Sequence, residues 1–328
     1  MISKDLALRF CFLTQTGFGA LGNSFLLGLY TITFLTGCRL RPIDFVLIHL
    51  AFVNDLVLLS KGIPQTMATF GFNNFLDDVG CKFVFYIHQI ARDLSLSTTC
   101  LLSTSQAIII SPKNSRWITF KARISKYIVQ CCFLCWTLHL LTNSIILMYM
   151  KGPKGSKNIT EIKNFIYCSA TFSPSINIAL YVFLMSLPDI IYVGIMVCTN
   201  GYIMLILYRH HQRVLYLHGR NYTPRDSPEN RATQTILLLV NMFVSFYSLN
   251  SILALLIYFR KPPSWLVHTS VFLAACFPSC SPFVLIISDS QILKYYLALC
   301  RKIKPLPQYN PDKIQLSDTV DRPDVKKS

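Results

Sequence analysis

The 328-residue chain is 52% hydrophobic and only 14% charged, with a mean hydropathy of +0.45, far more apolar than a soluble domain. A formal net charge of +16 would point to nucleic acid if the basic residues formed one face, but they collect in short segments between long apolar runs. The balance excludes a nucleic-acid-binding protein and indicates a polytopic membrane protein, since a helix of about 20 apolar residues crosses a bilayer.

Seven such runs are predicted as helices, at 8–35, 44–68, 82–110, 127–150, 177–207, 232–258 and 266–288. They make an all-α integral membrane bundle over residues 1–303, with 304–328 a polar, Pro-rich tail expected to be disordered. Met1 to Leu6 lead directly into an apolar run too long for a signal-peptide core, so the first helix is expected to act as the signal anchor. The basic residues around 39–41, 113–126, 209–231 and in the tail fall on one side, which predicts an extracellular N-terminus and a cytoplasmic C-terminus; the basic loop at 151–163 opposes this without reversing it.

Charges inside the runs are costly and must face the bundle interior. The second run carries Asn54, Asp55 and, two turns on, Lys61; the third carries His88, Arg92 and Asp93. Two readings stand. Arg92, with Lys61 and His88, presents positive charge to an outward cavity that attracts carboxylate, sulfate or polar groups; alternatively Arg92 or Lys61 pairs with Asp93 or Asp55 and fixes helix register. In the fourth run Cys132, Cys135 and His139 share a helix face, but no fourth ligand accompanies them, so they read as packing residues and no metal or cofactor is expected.

Cys81 starts the third run and Cys168 lies in the loop after the fourth; the topology puts both on the oxidising side, and a disulfide between them is predicted. Asn158-Ile-Thr160 in that loop is an N-glycosylation acceptor. Pro64, Pro188, Pro278 and Pro282 remove backbone donors within helices and permit kinks. No phosphate-binding Gly-rich loop, HExxH or GxSxG pattern occurs, so no enzyme is expected.

The pattern resembles a rhodopsin-like G-protein-coupled receptor in "GALGNSFLL" with Gly22 and Asn23, "HLAFVNDLVLL" with Asp55, "LCWTLHLL" with Trp136, "SLPDIIY" with Pro188, and the Cys81 and Cys168 pair. Both switch motifs of that class are altered. Ser105-Gln106-Ala107 stands where an acidic-Arg-Tyr triplet ends the third helix, and Ser281-Pro282 replaces Asn-Pro in the seventh, so no ionic lock can form on a triplet arginine.

These departures resemble vomeronasal type 1 receptors, a pheromone-receptor family, in "TTCLLSTSQAIIISPKNSRW" (98–117), "SPENRATQTILLLVNMFVSFYSLNSI" (227–252) and "CSPFVLIISDSQILKYY" (280–296). The resemblance runs from about residue 5 to 303. It departs at Arg92-Asp93, where members often carry Arg-Gly. It implies a plasma-membrane receptor for small chemosignals bound in the outer half of the bundle, coupled to an inhibitory or Go-type heterotrimeric G protein. It also implies an interior switch of Asn23, Asp55, Gln106, Ser281 and Pro282, with Gln106 working alongside Arg231. Arg116, Lys121, Arg209 and Arg231 would meet the acidic G-protein surface and anionic lipid. A bitter-taste-type receptor and a small multi-pass transporter are the alternatives; the lack of an internal repeat weighs against the second.

Overall fold

The computed structural model describes residues 2–37, 40–72, 75–112, 118–152, 162–164, 168–171, 178–218, 228–259 and 264–288. Its long helices are α1 (Ile2–Leu35), α2 (Pro42–Thr69), α3 (Asp78–Ile110), α4 (Ile118–Asn143), α6 (Ile178–His218), α7 (Pro228–Phe259) and α8 (Ser264–Ser288); α5 (Ile146–Tyr149) is a single turn. Among the described residues six stretches are long and apolar enough to cross a membrane: Arg9–Leu35, Pro42–Thr69, Lys126–Met148, Ser186–His210, Thr233–Leu253 and Trp265–Ile287. The seventh long helix, α3, carries Lys82, Arg92, Asp93 and a run of Ser and Thr. It tolerates them because it is the central helix, packed against α2, α4, α6 and α7, so its polar groups meet protein instead of lipid.

Local chemistry starts these helices. Pro42 occupies the first turn of α2, where its missing N–H costs nothing. Asp44 accepts 2.8 Å from the Arg41 backbone N–H and 2.7 Å from its guanidinium. Asp77 caps α3 by accepting from the Gly80 N–H at 2.7 Å.

The fourth helix differs from the expectation of 127–150. It begins at Ile118 and stops at Asn143, whose side chain turns inward to bond α3, and the chain then passes through α5 into strand β1 (Met150–Lys151). β1 and β2 (Ile162–Asn164) both pair antiparallel with the central β3 (Ser169–Thr171). Short strands of such mixed composition carry little alternation, so this small sheet left no signal in the sequence. The Cys81–Cys168 disulfide joins the start of β3 to the first turn of α3, and the Gly152 N–H donates 2.6 Å to Asp78. β1 and β3 are thereby anchored at the end of the bundle where α3 begins. α6 also runs on to His218, beyond the expected end at 207.

The main core joins Leu26, Leu29 and Tyr30 of α1 to Leu47 and Leu50 of α2, Leu96 and Leu102 of α3, Met196 of α6, and Leu239, Val240 and Phe243 of α7. Glycines let α1 lie close to its neighbours. A Cβ on Gly22 would stand 2.9 Å from Pro282 Cγ, and one on Gly62 would stand 2.4 Å from Thr16 Oγ1. Small residues at such crossings are the usual means of close helix approach in membranes.

Candidate functional site

In the half of the bundle that carries the disulfide, a cleft of about 480 Å³, its open mouth included, lies between α2, α3, α7 and α8. Val57, Phe243, Phe246 and Phe277 give it an apolar wall, while His88, Arg92, Tyr247 and Asn250 supply polar groups. A second cleft of about 330 Å³ continues toward α1, lined by Gln15, Lys61, Gly62 and Gln65. Val57, His88 and Ala274 line both. Pro278 has no N–H to give the Ala274 carbonyl four residues earlier.

Arg92 is eleven residues from Cys81, about 16 Å down the helix at 1.5 Å per residue. Its guanidinium donates 2.6 Å to Asp189 Oδ2 on α6 and bonds the Tyr247 hydroxyl on α7, which also donates to Asp189. Its Cζ lies 5.3 Å from the Tyr247 ring centroid. Asp93 stands 3.6 Å away and is held from the other side by Asn143 at 2.8 Å and Gln89 at 3.1 Å. One cation therefore faces two carboxylates, and four helices meet there. Of the two carboxylates expected to pair with Arg92 or Lys61, Asp93 is the one beside Arg92, and Asp55 pairs with neither cation among the described residues. Asp55 points toward α1 and accepts 3.0 Å from Ser24, and the strong partner of Arg92 is Asp189, a residue that no motif in the sequence singles out.

Lys61 is half-buried and, among the described residues, forms no ion pair. His88 lines both clefts, and the smaller one together with Lys61; its Nδ1 is 3.3 Å from Ser60 Oγ. In the smaller cleft Gln65 Nε2 and Gln15 Oε1 are buried without a hydrogen-bond partner among the described residues.

A second polar group crosses the middle of the bundle. Pro282 cannot donate to the Pro278 carbonyl, and Asn23 does so from α1 at 2.9 Å. The next residue back, Ser281, accepts 3.0 Å from Asn54, whose Oδ1 accepts 3.0 Å from Ser95 of α3. The centre of this junction is Asn54, which is fully buried. Asp55, one position further on, is rotated away from Ser281 by about 100° of helix.

Toward the opposite end, Ser103 bonds Thr199 and Asn200 of α6 at 2.6 and 3.0 Å, and Asn200 donates to Asn241 of α7 at 3.2 Å. Gln106 Nε2 donates 2.6 Å to Thr233 Oγ1 at the start of α7, and both residues are buried. The partner expected for Gln106 is Arg231, whose side chain lies outside what is described, as do the side chain of Lys121 and all of Arg116 and Asn158. Arg209 is exposed on the last part of α6 at this end.

A squid rhodopsin crystal structure superposes with a TM-score of 0.69 over 95% of this chain and 89% of that one, at 16% identity, which shows the fold. The chain is 46% identical over 296 residues to the vomeronasal type-1 receptor 1 of Gorilla gorilla gorilla, covering 90% of this chain and 83% of that protein. It is 42% identical to the human vomeronasal type-1 receptor 4, over 87% of this chain and 95% of that protein. It is also 31% identical to the olfactory receptor class A-like protein 1 of Danio rerio, over 86% and 89%. The family model described as "Vomeronasal organ pheromone receptor family" matches residues 6–298, which sets aside the transporter and bitter-taste alternatives. With fold and sequence agreeing over nearly its whole length, the chain belongs to the vomeronasal organ pheromone receptor family of type 1 receptors, multi-pass G-protein-coupled receptors of the plasma membrane and not enzymes.

Proposed function

We propose that this receptor binds a small pheromone-like molecule in the clefts between α1, α2, α3, α7 and α8, and that the occupied bundle activates an inhibitory or Go-type heterotrimeric G protein. The observation that carries the reading is the position of the larger cleft against α3: its wall includes Arg92 and Ser95, and the same helix ends in the Gln106–Thr233 bond to α7. From Arg92 to Gln106 is about 21 Å along the helix. A ligand that moves α7 at Tyr247 or Phe243 acts on the element whose other end that bond holds.

The disulfide end faces outward in this account and carries the glycan on Asn158. The opposite end is cytoplasmic, a placement supported by the exposed Arg123, Lys126, Arg209 and Arg213 there. Arg116, Lys121, Arg209 and Arg231 would meet the G protein and anionic headgroups. Asn23, Asn54, Ser281 and Pro282 would be the pivot where α8 moves against α1 and α2, with Asp55 bracing α1 through Ser24.

The test is guanine-nucleotide exchange in membranes carrying the receptor, stimulated with fractionated animal secretions and reconstituted in turn with inhibitory, Go, stimulatory and Gq-type α subunits. Exchange confined to the first two supports the assignment. Stimulated exchange on the stimulatory or Gq type alone would refute it.

A further inference from the structure

The two clefts differ in the charge they offer a ligand. At Arg92 the positive charge is already met by Asp189 at 2.6 Å and Asp93 at 3.6 Å, so the group carries formally one more negative than positive charge. An incoming anion there would have to displace Asp189 and then face Asp93. Lys61 has no carboxylate partner among the described residues, and a cation in that position is costly unless something pairs with it. Gln65, only 1% exposed, lines the same cleft with a donor that has no partner among the described residues, and Gln15 lines it with an acceptor that has none among them.

From this we infer that the smaller cleft is the receptor's acid-binding subsite: Lys61 and Gln65 take the carboxylate of a small amphipathic organic acid, and its apolar body lies in the larger cleft against Val57, Phe243 and Phe277. Lys61 supplies the charge and Gln65 Nε2 an N–H to a carboxylate oxygen. The Gln15 acceptor suits a hydroxyl near the head group. Val57, His88 and Ala274 line both clefts, so one molecule can span them. Gly62 forms part of the wall, and its lack of a Cβ allows Thr16 of α1 to close the cleft from the other side. This inference rests on the ligand site proposed above and assigns the chemical class it selects.

The experiment uses the full-length receptor purified in neutral detergent, with octanoate, cyclohexylacetate and phenylbutyrate as probes, each against its primary amide. Affinity is read from the concentration dependence of the thermal midpoint. A charge-assisted contact contributes about 1.5–3 kcal/mol, so at least one carboxylate should bind about 12- to 150-fold more tightly than its amide. Lys61→Met should abolish that preference, Lys61→Arg should keep it, and Gln65→Leu should weaken carboxylate binding severalfold. Equal binding of acid and amide, a preference that survives Lys61→Met, or binding of no carboxylate would each overturn the inference. Failure of the signalling proposal would look different: the Lys61-dependent preference would persist without nucleotide exchange. Exchange driven by uncharged agonists with no dependence on Lys61 would remove this inference and leave that proposal standing.

Discussion

Replacing Asp189 by Asn tests how the four-helix charge cluster is held. Fully exposed ion pairs contribute about 0.2–1 kcal/mol, whereas removing one partner of a fully buried pair costs about 3–5 kcal/mol. The Arg92 side chain is 32% exposed and that of Asp189 16%, so this pair lies between the limits and Asp189→Asn should cost about 1–3 kcal/mol. Part of the loss is offset because Arg92 keeps the Tyr247 hydroxyl and Asp93. Arg92→Met should cost a similar amount, since it leaves two carboxylates facing one another. The double variant Arg92→Met/Asp189→Asn should then lose less than the sum of the single losses, by about 1–3 kcal/mol of coupling. The assay is the temperature at which detergent-solubilised receptor loses monodispersity in size-exclusion chromatography, with denaturant titration of the same four proteins for free energies. Wild-type stability in Asp189→Asn, or strictly additive losses in the double variant, would show that the pair does not hold α3 to α6 and would refute the reasoning.

Further outcomes follow from other contacts. Gln106→Leu and Thr233→Val each remove the buried bond between α3 and α7; at about 0.5–1.5 kcal/mol each should raise ligand-independent nucleotide exchange roughly 2- to 12-fold, measured at equal receptor density, and unchanged basal exchange in both would contradict a closing role. Lys61→Met should raise the thermal midpoint of the ligand-free receptor, because it removes a half-buried cation that has no counter-ion among the described residues; a lower midpoint would mean that Lys61 is structural. Gly22→Val should lower the folded yield in fluorescence-detected chromatography by overpacking α1 against Pro282, at a cost of about 1–3 kcal/mol, while Gly28→Val, with open space around it, should not.

The helices were legible because apolar run length is a strong constraint in a bilayer, and the disulfide because topology put two cysteines on the same side. What escaped were pairings set by helix rotation and by distance in sequence. Asn54 and Asp55 differ by about 100° around α2, and the acidic residue drew attention although the amide makes the bonds to Ser95 and Ser281. Asp189 stands in "SLPDIIY", a stretch whose proline is the more conspicuous residue; a single carboxylate in a run of that length calls for an interior partner, yet nothing in the sequence says that the partner is Arg92, 97 residues earlier. Thr233 was equally hidden, since a Thr at a helix start is unremarkable until Gln106 is seen within 2.6 Å. The sheet β1-β3-β2 depends on the tether from Cys168 to Cys81 and on no local periodicity.

The most direct test of the central claim is to fill the shared wall of the two clefts. Ala274→Trp puts an indole where both clefts meet, far from the Gln106–Thr233 end. Nucleotide exchange on the inhibitory or Go-type protein, stimulated by a secretion fraction active on the wild type, should fall to the unstimulated level in this variant at matched surface amount. Basal exchange should remain, showing that the protein still folds and couples. Stimulation that survives the filled cleft with unchanged potency would contradict the account and place the ligand elsewhere on the receptor.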